Sequence, residues 1–573
     1  MTRSIIPSLV LLITLVTAKA QNPLYIPDTL NGPIYNLTVA YSSKVFFPPN
    51  VTDTYGMNGD ILAPVLLMNK GDSITLNVIN DLNISTTMHW HGFHISAAND
   101  GGPHQVIDPG TTWSPSFKVR NDAATYWFHP HLHENTELQV TKGLAGMIII
   151  RDSIESTYDL PRTYGVDDIP LIVQSKSFDA FYQLASFNSY DSTILINGTI
   201  DPYVEVPSQV IRLRLLATAS SRSFLFGLEG DLPFYQIATD GGLLDQPVSM
   251  TRLRLSTGER AEILIDLSAL QGQSIFLKSF ASELEDGIIG GPVAGVSDTL
   301  PGYYSNPLNG NDYNLLRLDV VAPTTNPVTS IPSSFAPLNP WNEADVDVSR
   351  DMVFTLDTNT LFASPVEGPF LINNAPFDMD SINVTCFLDE VEIWRLINQT
   401  ELAHPFHIHD IQFYVLDVNG NPPAPGQHGQ KDVVLVMPGD TVRFITQFER
   451  FAHPTDPYMF HCHILHHEDE GMMGHFLVID TNAVSVPEIM GTQQISVSPN
   501  PSSDIISIGS GRFDSVQTLE VEVYNILGQK VQSYLHTPDN LQVSFDVSKL
   551  QAGLYTVVVR SINKQYSGKF LKI

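Results

Sequence analysis

Most of the chain consists of short runs rich in apolar and β-branched residues, many of which alternate with polar ones. Clear examples lie at 73–79, 210–216, 391–397 and 433–436. Pro and Gly separate these runs throughout, with 39 and 37 of each. Period-two alternation is typical of strands, and regular short strands between turns are typical of β-sandwiches and barrels. We therefore predict an all-β fold.

The length and a weak internal repeat predict several units of this kind. A chain of 573 residues is too long for one hydrophobic core, so three or four domains are expected. A Gly followed by an acidic residue begins a strand-like run at Gly71, Gly258 and Gly439, which favours three copies of one unit. Histidines follow an equivalent strand in copies one and three, whereas serines follow it in copy two. We expect the chemistry between copies one and three, with copy two as a spacer.

Changes in composition indicate where the domains begin and end. Residues 323–340 are rich in Pro, Ser, Thr and Asn, as linkers are, and another boundary falls within 484–494. The predicted organisation is therefore a first unit at 30–155, a second at 165–322, a linker at 323–345, a third unit at 346–482, and a small β-sandwich module at 495–573.

The first twenty residues have the pattern of a secretory signal peptide. Arg3 precedes an apolar run at 5–16, and Ala18-Lys19-Ala20 supplies a small-residue cleavage site. A membrane anchor is the alternative, but the run is too short to span a bilayer and no basic stop sequence follows. No later apolar run is long enough for a transmembrane segment. We predict that residues 1–20 are removed and that the protein is exported.

Charge and cysteine content exclude some classes of function. Lys and Arg number 30 against 61 Asp and Glu, and the net charge of −31 repels phosphate backbones, so we expect no nucleic-acid partner. Only Cys386 and Cys462 are present, too few for a disulfide framework in a secreted protein of this size. We expect Cys386 to be a buried free thiol.

Most of the 18 histidines lie in four short clusters, which random scatter would not produce. Residues two apart on a strand project from the same side, so an H-x-H pair can present two imidazoles to one metal or to two adjacent metals. The clusters are His89-Trp90-His91, His129-Pro130-His131, His404-Pro405-Phe406-His407-Ile408-His409, and His461-Cys462-His463 with His467 after it.

The last cluster also contains sulfur ligands. Cys462, His467 and Met472 supply a thiolate, an imidazole and a thioether, and His404 is a candidate second imidazole. A His2Cys set with a weak axial Met describes a blue-copper electron-transfer centre. A buried apolar Cys and a core Met are the alternative, and the flanking histidines argue against it.

Four H-x-H pairs remain, and their eight imidazoles suit three copper ions. Two ions with three imidazoles each and a third with two would leave positions open for O2. One copper that receives electrons and three at the oxygen site hold the four electrons needed to form water. Cys462 lies between His461 and His463, so the backbone joins the two sites.

These motifs resemble those of the multicopper oxidase family over roughly residues 33–480. The resemblance implies three cupredoxin-like Greek-key β-sandwich domains, with a copper cluster between the first and third. It implies four copper ions: a type 1 ion at His404, Cys462, His467 and Met472, a type 2 ion at His89 and His407, and two type 3 ions at His91, His129, His131, His409, His461 and His463.

Asp100 and Glu468 resemble the proton-relay acids of the family. Reduction of O2 consumes four protons, so acids near the cluster have a physical role. A turn-forming Asp and a solvated Glu are the alternatives. With Cys462, these two carboxylates are the predicted catalytic residues.

The resemblance implies an oxidase that couples oxidation of phenols, aromatic amines or tetrapyrroles to reduction of O2, as laccases and bilirubin oxidases do. A metallo-oxidase acting on Cu(I), Fe(II) or Mn(II) is the alternative, although residues 351–380 lack the Met-rich insert of cuprous oxidases. His133-Glu134 and His466 also depart from the usual motifs. A plain electron carrier would need only the type 1 ligands, and a copper-binding store would not need the Cys462 bridge.

The C-terminal segment contains three motifs of its own. They are Ser498-Pro499-Asn500-Pro501, Tyr524-Asn525-Ile526-Leu527-Gly528-Gln529 and Gly553-Leu554-Tyr555. The segment resembles the sorting domain of the type 9 secretion system, and a carbohydrate-binding or adhesion module is the alternative. The resemblance implies contact with the type 9 machinery during export. We expect a monomer that is secreted or held at the outer cell surface.

Overall fold

The computed structural model describes residues 21–185, 191–293, 295, 300, 303, 306–360, 363–481, 493–509, 519–536, 542–561 and 564–573. Strands make up 48% and helices 6%, which confirms the predicted all-β class. The chain divides into one compact unit that ends at Val478 and another at Ile479–Ile573. The predicted signal peptide lies outside the described residues. Within them, no helix is both long and apolar enough to cross a membrane.

The first sandwich packs two sheets around a core that includes Leu37, Val78, Phe128 and Ile148. The described chain begins with β1 (Asn22–Pro23), which pairs outside this sandwich. The elements of the first sandwich are β2 (Thr29–Asn31), β3 (Ile34–Phe47), β4 (Asn50–Met57), β5 (Val65–Asn69), β6 (Ser73–Asn80), β7 (His89–His91), α1 (Ala97–Asp100), β8 (Thr112–Trp113), β9 (Ser116–Lys118), β10 (Thr125–His129), α2 (Thr136–Lys142) and β11 (Gly146–Arg151). One sheet has the order β2-β5-β11-β10-β7. The other has the order β4-β3-β6-β8, with β9 also paired to β6.

The second sandwich follows directly. Its strands are β12 (Asp168–Phe178), β13 (Leu184–Ala185), β14 (Thr193–Ile196), β15 (Pro202–Pro207), β16 (Val210–Ala217), β17 (Phe224–Leu228), β18 (Phe234–Thr239), β19 (Gly242–Met250), β20 (Leu253–Leu255), β21 (Arg260–Asp266), β22 (Ser274–Ser279) and β23 (Tyr313–Val321). The two sheets have the orders β1-β15-β23-β22-β17-β20 and β13-β12-β16-β21-β18-β19, and β14 pairs with β12. The β1 strand thus belongs to this sandwich.

Strand β16 is buried at every position, including the polar positions of its alternating pattern. One face packs in the apolar core, and the other places its arginines among carboxylates. Arg212 Nη1 donates to Glu155 at 2.8 Å, and Arg214 Nε donates to Asp168 at 2.6 Å. Both arginines also donate to Glu262. We call these five residues the arginine network.

Residues 323–345 connect the second and third sandwiches without forming a strand. They are nevertheless packed, since Val328 and Phe335 are buried beside Leu160 and Val210. The Phe335 amide also donates to the Asp245 carbonyl at 2.7 Å. The segment is a packed connection rather than a free tether. Single 3-10 turns occur at Glu155–Thr157, Glu229–Asp231, Ala281–Glu283, Glu343–Asp345 and Pro425–Gln427.

The third sandwich contains β24 (Val348–Leu356), β25 (Phe370–Ile372), β26 (Val384–Phe387), β27 (Val391–Asn398), β28 (His404–Ile408), β29 (Phe413–Val418), β30 (Gln430–Lys431), β31 (Val433–Val436), β32 (Thr441–Gln447), β33 (Tyr458–Cys462), α3 (Leu465–Asp469) and β34 (Met473–Ile479). Its sheets have the orders β25-β24-β27-β32-β29-β30 and β26-β34-β33-β28-β31. Trp394, Phe406 and Phe460 lie in the core between them. Cys386 is buried and free, as predicted.

The C-terminal unit is a small sandwich of its own. Its strands are β35 (Gln493–Gln494), β36 (Ser496–Ser498), β37 (Ile505–Gly509), β38 (Leu519–Tyr524), β39 (Lys530–His536), β40 (Gln542–Asp546), β41 (Gly553–Ser561) and β42 (Lys564–Lys572). They form sheets with the orders β35-β42-β41-β38-β39 and β36-β37-β40 around Val521, Val557 and Phe570.

Candidate metal centre

Imidazoles from the first and third sandwiches meet in a buried cleft. Pairing of β7 with β10 places His89 opposite His129, and pairing of β28 with β33 places His407 opposite His461. The neighbouring histidines of each motif point into the same space, and all are at most 1% exposed. We call this group the histidine cleft: His89, His91, His129, His131, His407, His409, His461 and His463.

Oxygen atoms hold most of these rings in one orientation. The Nδ1 atoms of four rings lie 2.7–3.0 Å from a backbone carbonyl, and Nδ1 of His409 lies 2.7 Å from the Asp100 carboxylate. Because Nδ1 then carries the proton, Nε2 keeps its lone pair and faces the cleft. The four carbonyl contacts are His89 with Asp100, His129 with Pro130, His407 with Asp432, and His461 with Cys462.

His91 has the opposite orientation. Its Nε2 lies 3.1 Å from a carboxylate oxygen of Asp432, so its Nδ1 faces the cleft, 3.3 Å from Nε2 of His463. Asp432 also accepts two hydrogen bonds from the Arg260 guanidinium, at 2.5 and 2.6 Å. Sequence reasoning missed Asp432 and Arg260. No motif marks them, and Asp432 lies 341 residues from His91.

Several lone pairs in the cleft are unused. Among the described residues, Nε2 of His89, His129 and His407 has no hydrogen-bond partner. Burial lowers the pKa of His461 to about 3, so its imidazole is neutral at physiological pH. Neutral, buried and unpartnered imidazole nitrogens are the form that binds a metal ion.

Ligand atoms in the cleft come together in threes. Within each group the ligand atoms lie within 4.8 Å of one another, and one group joins the predicted type 2 pair to His409. Three groups contain only imidazoles: His89, His407 and His409; His91, His129 and His463; and His131, His409 and His461. A fourth contains His91, His407 and Asp432.

A second group of ligand atoms lies around Cys462 in the third sandwich. Its Sγ is 3.5 Å from His404 Nδ1 and 3.6 Å from His467 Nδ1. The far nitrogens of these rings are held by Thr400 Oγ1 at 2.9 Å and by the Val366 carbonyl at 2.8 Å. Burial raises the pKa of the Cys462 thiol well above its usual value. A bound metal ion would therefore be needed to deprotonate it near neutral pH.

Met472, the predicted axial ligand, is fully buried in the same core as Cys462. Its carbonyl accepts a hydrogen bond from the Cys462 amide at 3.0 Å. The backbone thus holds Met472 next to the Cys462 group.

Strand β33 connects the histidine cleft to the ligand atoms around Cys462. Cys462 points to one side, and the histidines before and after it point to the other. His461 Nε2 lies 3.2 Å from His131 Nε2 and 3.3 Å from His409 Nε2. The thiol and the cleft are therefore joined through adjacent residues of one strand.

Both predicted catalytic acids touch the cleft. Besides its contact with His409, Asp100 accepts from His89 through its carbonyl oxygen. Glu468 places one carboxylate oxygen 3.3 Å from His131 Nδ1 and the other 3.3 Å from His461 Nδ1. It is 1% exposed, so the solvated alternative does not hold. Burial, and then the charge of Asp469, raises the pKa of Glu468 well above its usual value.

The second sandwich does more than separate the other two. Arg260 holds Asp432, and a Cβ at Gly258 would meet the His463 ring at 2.9–3.1 Å, so glycine permits this close approach. The second sandwich also supplies part of a pocket that borders His467. The pocket is lined by Glu137, Ser220, Ser221, Ile289, Tyr303, Val366, Glu367, Ile464, His466 and His467.

Comparison with known proteins identifies the family. Models described as multicopper oxidase match residues 40–155 and 345–482. A multicopper oxidase of Staphylococcus haemolyticus is 33% identical over 454 residues, covering 78% of this chain and 88% of that protein. The chain belongs to the multicopper oxidase family. Its members are oxidoreductases that bind copper, and the imidazole, thiolate and thioether donors described above fit copper.

Further relatives have differing names. A cell division protein FtsP of Photorhabdus laumondii is 31% identical, over 82% of this chain and 95% of that protein. Among solved structures, the laccase-like multicopper oxidase CueO of an Ochrobactrum species has a TM-score of 0.70 and 32% identity, covering 80% of this chain and all of that one. A Campylobacter jejuni metallo-oxidase has a TM-score of 0.64 and 25% identity, covering 81% and 95%. These neighbours confirm the predicted cupredoxin-like fold.

The C-terminal prediction is also confirmed. A family model described as a secretion system C-terminal sorting domain matches residues 496–573. The chain therefore carries a type 9 sorting domain after its oxidase part.

Proposed function

We propose that this multicopper oxidase binds four copper ions and couples one-electron oxidation of an aromatic donor to reduction of O2 to water. The observation that carries the proposal is the position of Cys462. Its Sγ faces His404 and His467, while its chain neighbours face the histidine cleft. An electron carrier would need only the first group, and a copper store would need no link between them.

The twelve predicted ligands divide between these two places. The type 1 ion is assigned to His404, Cys462, His467 and Met472, the type 2 ion to His89 and His407, and the type 3 pair to His91, His129, His131, His409, His461 and His463. Bound copper would supply the one-electron redox chemistry that these side chains lack.

Asp100 and Glu468 are assigned to proton supply. Each carboxyl group contacts rings of the histidine cleft, Asp100 through Oδ2 at His409 and Glu468 at His131 and His461. Formation of water from O2 takes up four protons, and both groups are buried where bulk water does not reach them directly. A carboxyl group in contact with the cleft can hold a proton and pass it inward.

The donor site is assigned to the pocket beside His467. Tyr303, Ile289 and Ile464 offer an apolar wall for an aromatic ring, and Val366 in the same wall accepts the hydrogen bond from His467 Nε2. The apolar part of this lining suits contact with a phenol, an aromatic amine or part of a tetrapyrrole. The Ochrobactrum enzyme is described as having oxidase activity towards lignin model compounds, which supports a phenolic donor here.

A metal-ion donor is the second candidate. Glu137 and Glu367 place two carboxylates in the pocket lining, a feature that favours a cation such as Cu(I), Fe(II) or Mn(II). The Campylobacter jejuni relative is described as a metallo-oxidase.

Oxygen uptake by the copper-loaded protein tests both candidates. The donors are a phenol, bilirubin and Cu(I), and the visible spectrum is recorded alongside. We expect an intense blue band and O2 consumption, both lost in Cys462→Ser, with the phenol or bilirubin faster than Cu(I). Fastest uptake with Cu(I) would select the metallo-oxidase, and a blue protein that consumes no O2 with any donor would contradict the proposal.

We also infer that the protein is exported through the type 9 machinery and is released or attached at the outer surface as a monomer. The sorting domain at 496–573 supports this route of export. Deletion of that domain should retain the enzyme inside the cell envelope, as measured by blotting of culture medium and surface fractions.

A further inference from the structure

Two histidines outside the twelve predicted ligands face each other across the boundary of the first and third sandwiches. Nε2 of His104 lies 3.0 Å from Nε2 of His475, and the ring centroids are 4.8 Å apart. His104 follows α1 on the surface, whereas His475 lies on β34 and is buried. The two are 371 residues apart in the chain, so the fold alone creates the pair.

The buried member of the pair is preset as a ligand. Nδ1 of His475 lies 3.0 Å from the Ser381 carbonyl, and its amide donates to Asn383 Oδ1 at 2.8 Å. Nδ1 therefore carries the proton, and the lone pair on Nε2 points at His104. A ring that donates one N–H to a carbonyl and offers the other nitrogen is the usual arrangement of a metal-bound histidine.

The surroundings suit a cation. Negative charges of Asp380 and Asp456 act on His104, and that of Asp378 acts on His475. Burial lowers the pKa of His104, and it lowers the pKa of His475 to about 4, so both rings are neutral near pH 7. Solvent reaches the pair from the His104 side.

The pair also lies close to the histidine cleft. Met459 is directly opposite His475 in the β33–β34 ladder, so both side chains leave the sheet on one face. His461 is two residues further along β33 and projects from that same face. An ion held between His104 and His475 would sit at the rim of the copper-binding region.

We propose that His104 and His475 form an additional, labile copper site that is distinct from the twelve ligands of the oxidase. Copper is the cation for which paired imidazoles have the highest affinity among the first-row divalent ions. Binding replaces the single proton shared by the two Nε2 atoms. Only two protein nitrogens hold the ion and one side is open, so the ion should exchange readily.

Cu(II) titration of the full-length, copper-loaded protein by calorimetry tests this site. We expect one further equivalent beyond the tightly bound ions, with the affinity lowered at least tenfold in His104→Gln and in His475→Gln. The side-chain amide introduced by His104→Gln can still donate a hydrogen bond to His475, so this variant keeps the bridge between the sandwiches while it removes a ligand. His428→Gln, which changes a partly exposed histidine paired with Asp245 of the second sandwich, should leave the titration unchanged.

Two further measurements distinguish loss of the copper ligand from a general structural change. The blue band and O2 uptake with an organic donor should be unchanged in His104→Gln. In the part of the chain that the structure describes, the hydrogen bonds and ring contacts of His104 and His475 do not include a predicted copper ligand. The proposal is overturned if wild-type protein binds no further equivalent, or if both variants bind it as tightly as wild type. Either result would make the pair a hydrogen bond between two sandwiches and nothing more.

Discussion

The arginine network and the histidine cleft are both dense groups of buried polar side chains, yet they differ in what satisfies them. In the network, Arg212 and Arg214 donate to three carboxylates, and Thr125 adds a further hydrogen bond to Glu262 at 2.7 Å. In the cleft, Nε2 of His89, His129 and His407 finds no partner among the described residues. The five residues of the network satisfy one another, whereas the cleft keeps nitrogen atoms that a metal ion could satisfy.

This difference distinguishes a binding site from a structural cluster of polar side chains. Burial and a polar side chain are common to both groups and so do not decide. A buried donor or acceptor without a partner is rare, because it costs free energy unless something else satisfies it. Unpartnered nitrogen atoms that converge in one cleft, rather than burial alone, indicate the metal site.

The largest effect is expected from the loss of a predicted ligand in the histidine cleft. His409→Gln should reduce O2 uptake to background. His409 belongs to two of the three groups that contain only histidines, and it contacts Asp100. The free energy of unfolding of the apo protein should change little. Oxygen-electrode assays and urea titration measure the two effects, with His453→Gln as control. Retained O2 uptake would remove His409 from the copper site.

A network variant should show the reverse pattern. Glu262→Gln removes the charge between Arg212 and Arg214 and leaves buried guanidinium groups short of a counter-ion. We expect the free energy of unfolding to fall by about 3–5 kcal/mol, with the turnover of the remaining folded enzyme nearly unchanged. Glu285→Gln breaks an exposed pair with Arg254 and should cost at most about 1 kcal/mol. Equal losses in both variants would contradict the distinction.

Asp432 has both a structural and a metal-site role, because it forms an ion pair with Arg260 and also contacts the predicted ligand His91. Asp432→Asn should weaken copper binding about 10–100-fold, because the His91 ring loses the group that orients it. Competition with a copper chelator measures the affinity. Asp245→Asn, at an exposed His428 pair, is the matched control. An unchanged affinity would mean that the sandwich core alone orients His91.

The smallest effect concerns pH. Burial acts to raise the pKa of Glu155, but the charge and hydrogen bond of Arg212 hold it below the ordinary value. A depressed carboxyl pKa contributes stability above the unfolded pKa of about 4.3, and this is lost as the pH falls through the folded value. Glu155→Gln should therefore lower the free energy of unfolding by about 1 kcal/mol at pH 7. Urea midpoints of variant and wild type should converge as the pH falls through the folded pKa of Glu155, and a gap that persists in acid would assign the loss to packing.

Strand content and the ligand motifs could be predicted because both are local. Alternation in 391–397 corresponds to β27, the pair His89 and His91 lies on β7, and His407 lies on β28 with His409 directly after it. The same local rule predicted a strand at 210–216, where β16 lies, but it did not show that the polar positions of this strand are buried. Alternation shows that a strand has two faces, but it does not show what each face meets.

The candidate copper ligands could be predicted from the sequence, because spacing along one strand decides which side chains share a face and places Cys462 between two histidines. The packing of the sandwiches established which imidazoles lie together in the cleft, that Asp432 and Arg260 orient His91, and that His104 meets His475. These contacts join residues hundreds of positions apart on different sandwiches. They depend on how whole sheets pack, and no local pattern in the chain encodes that packing.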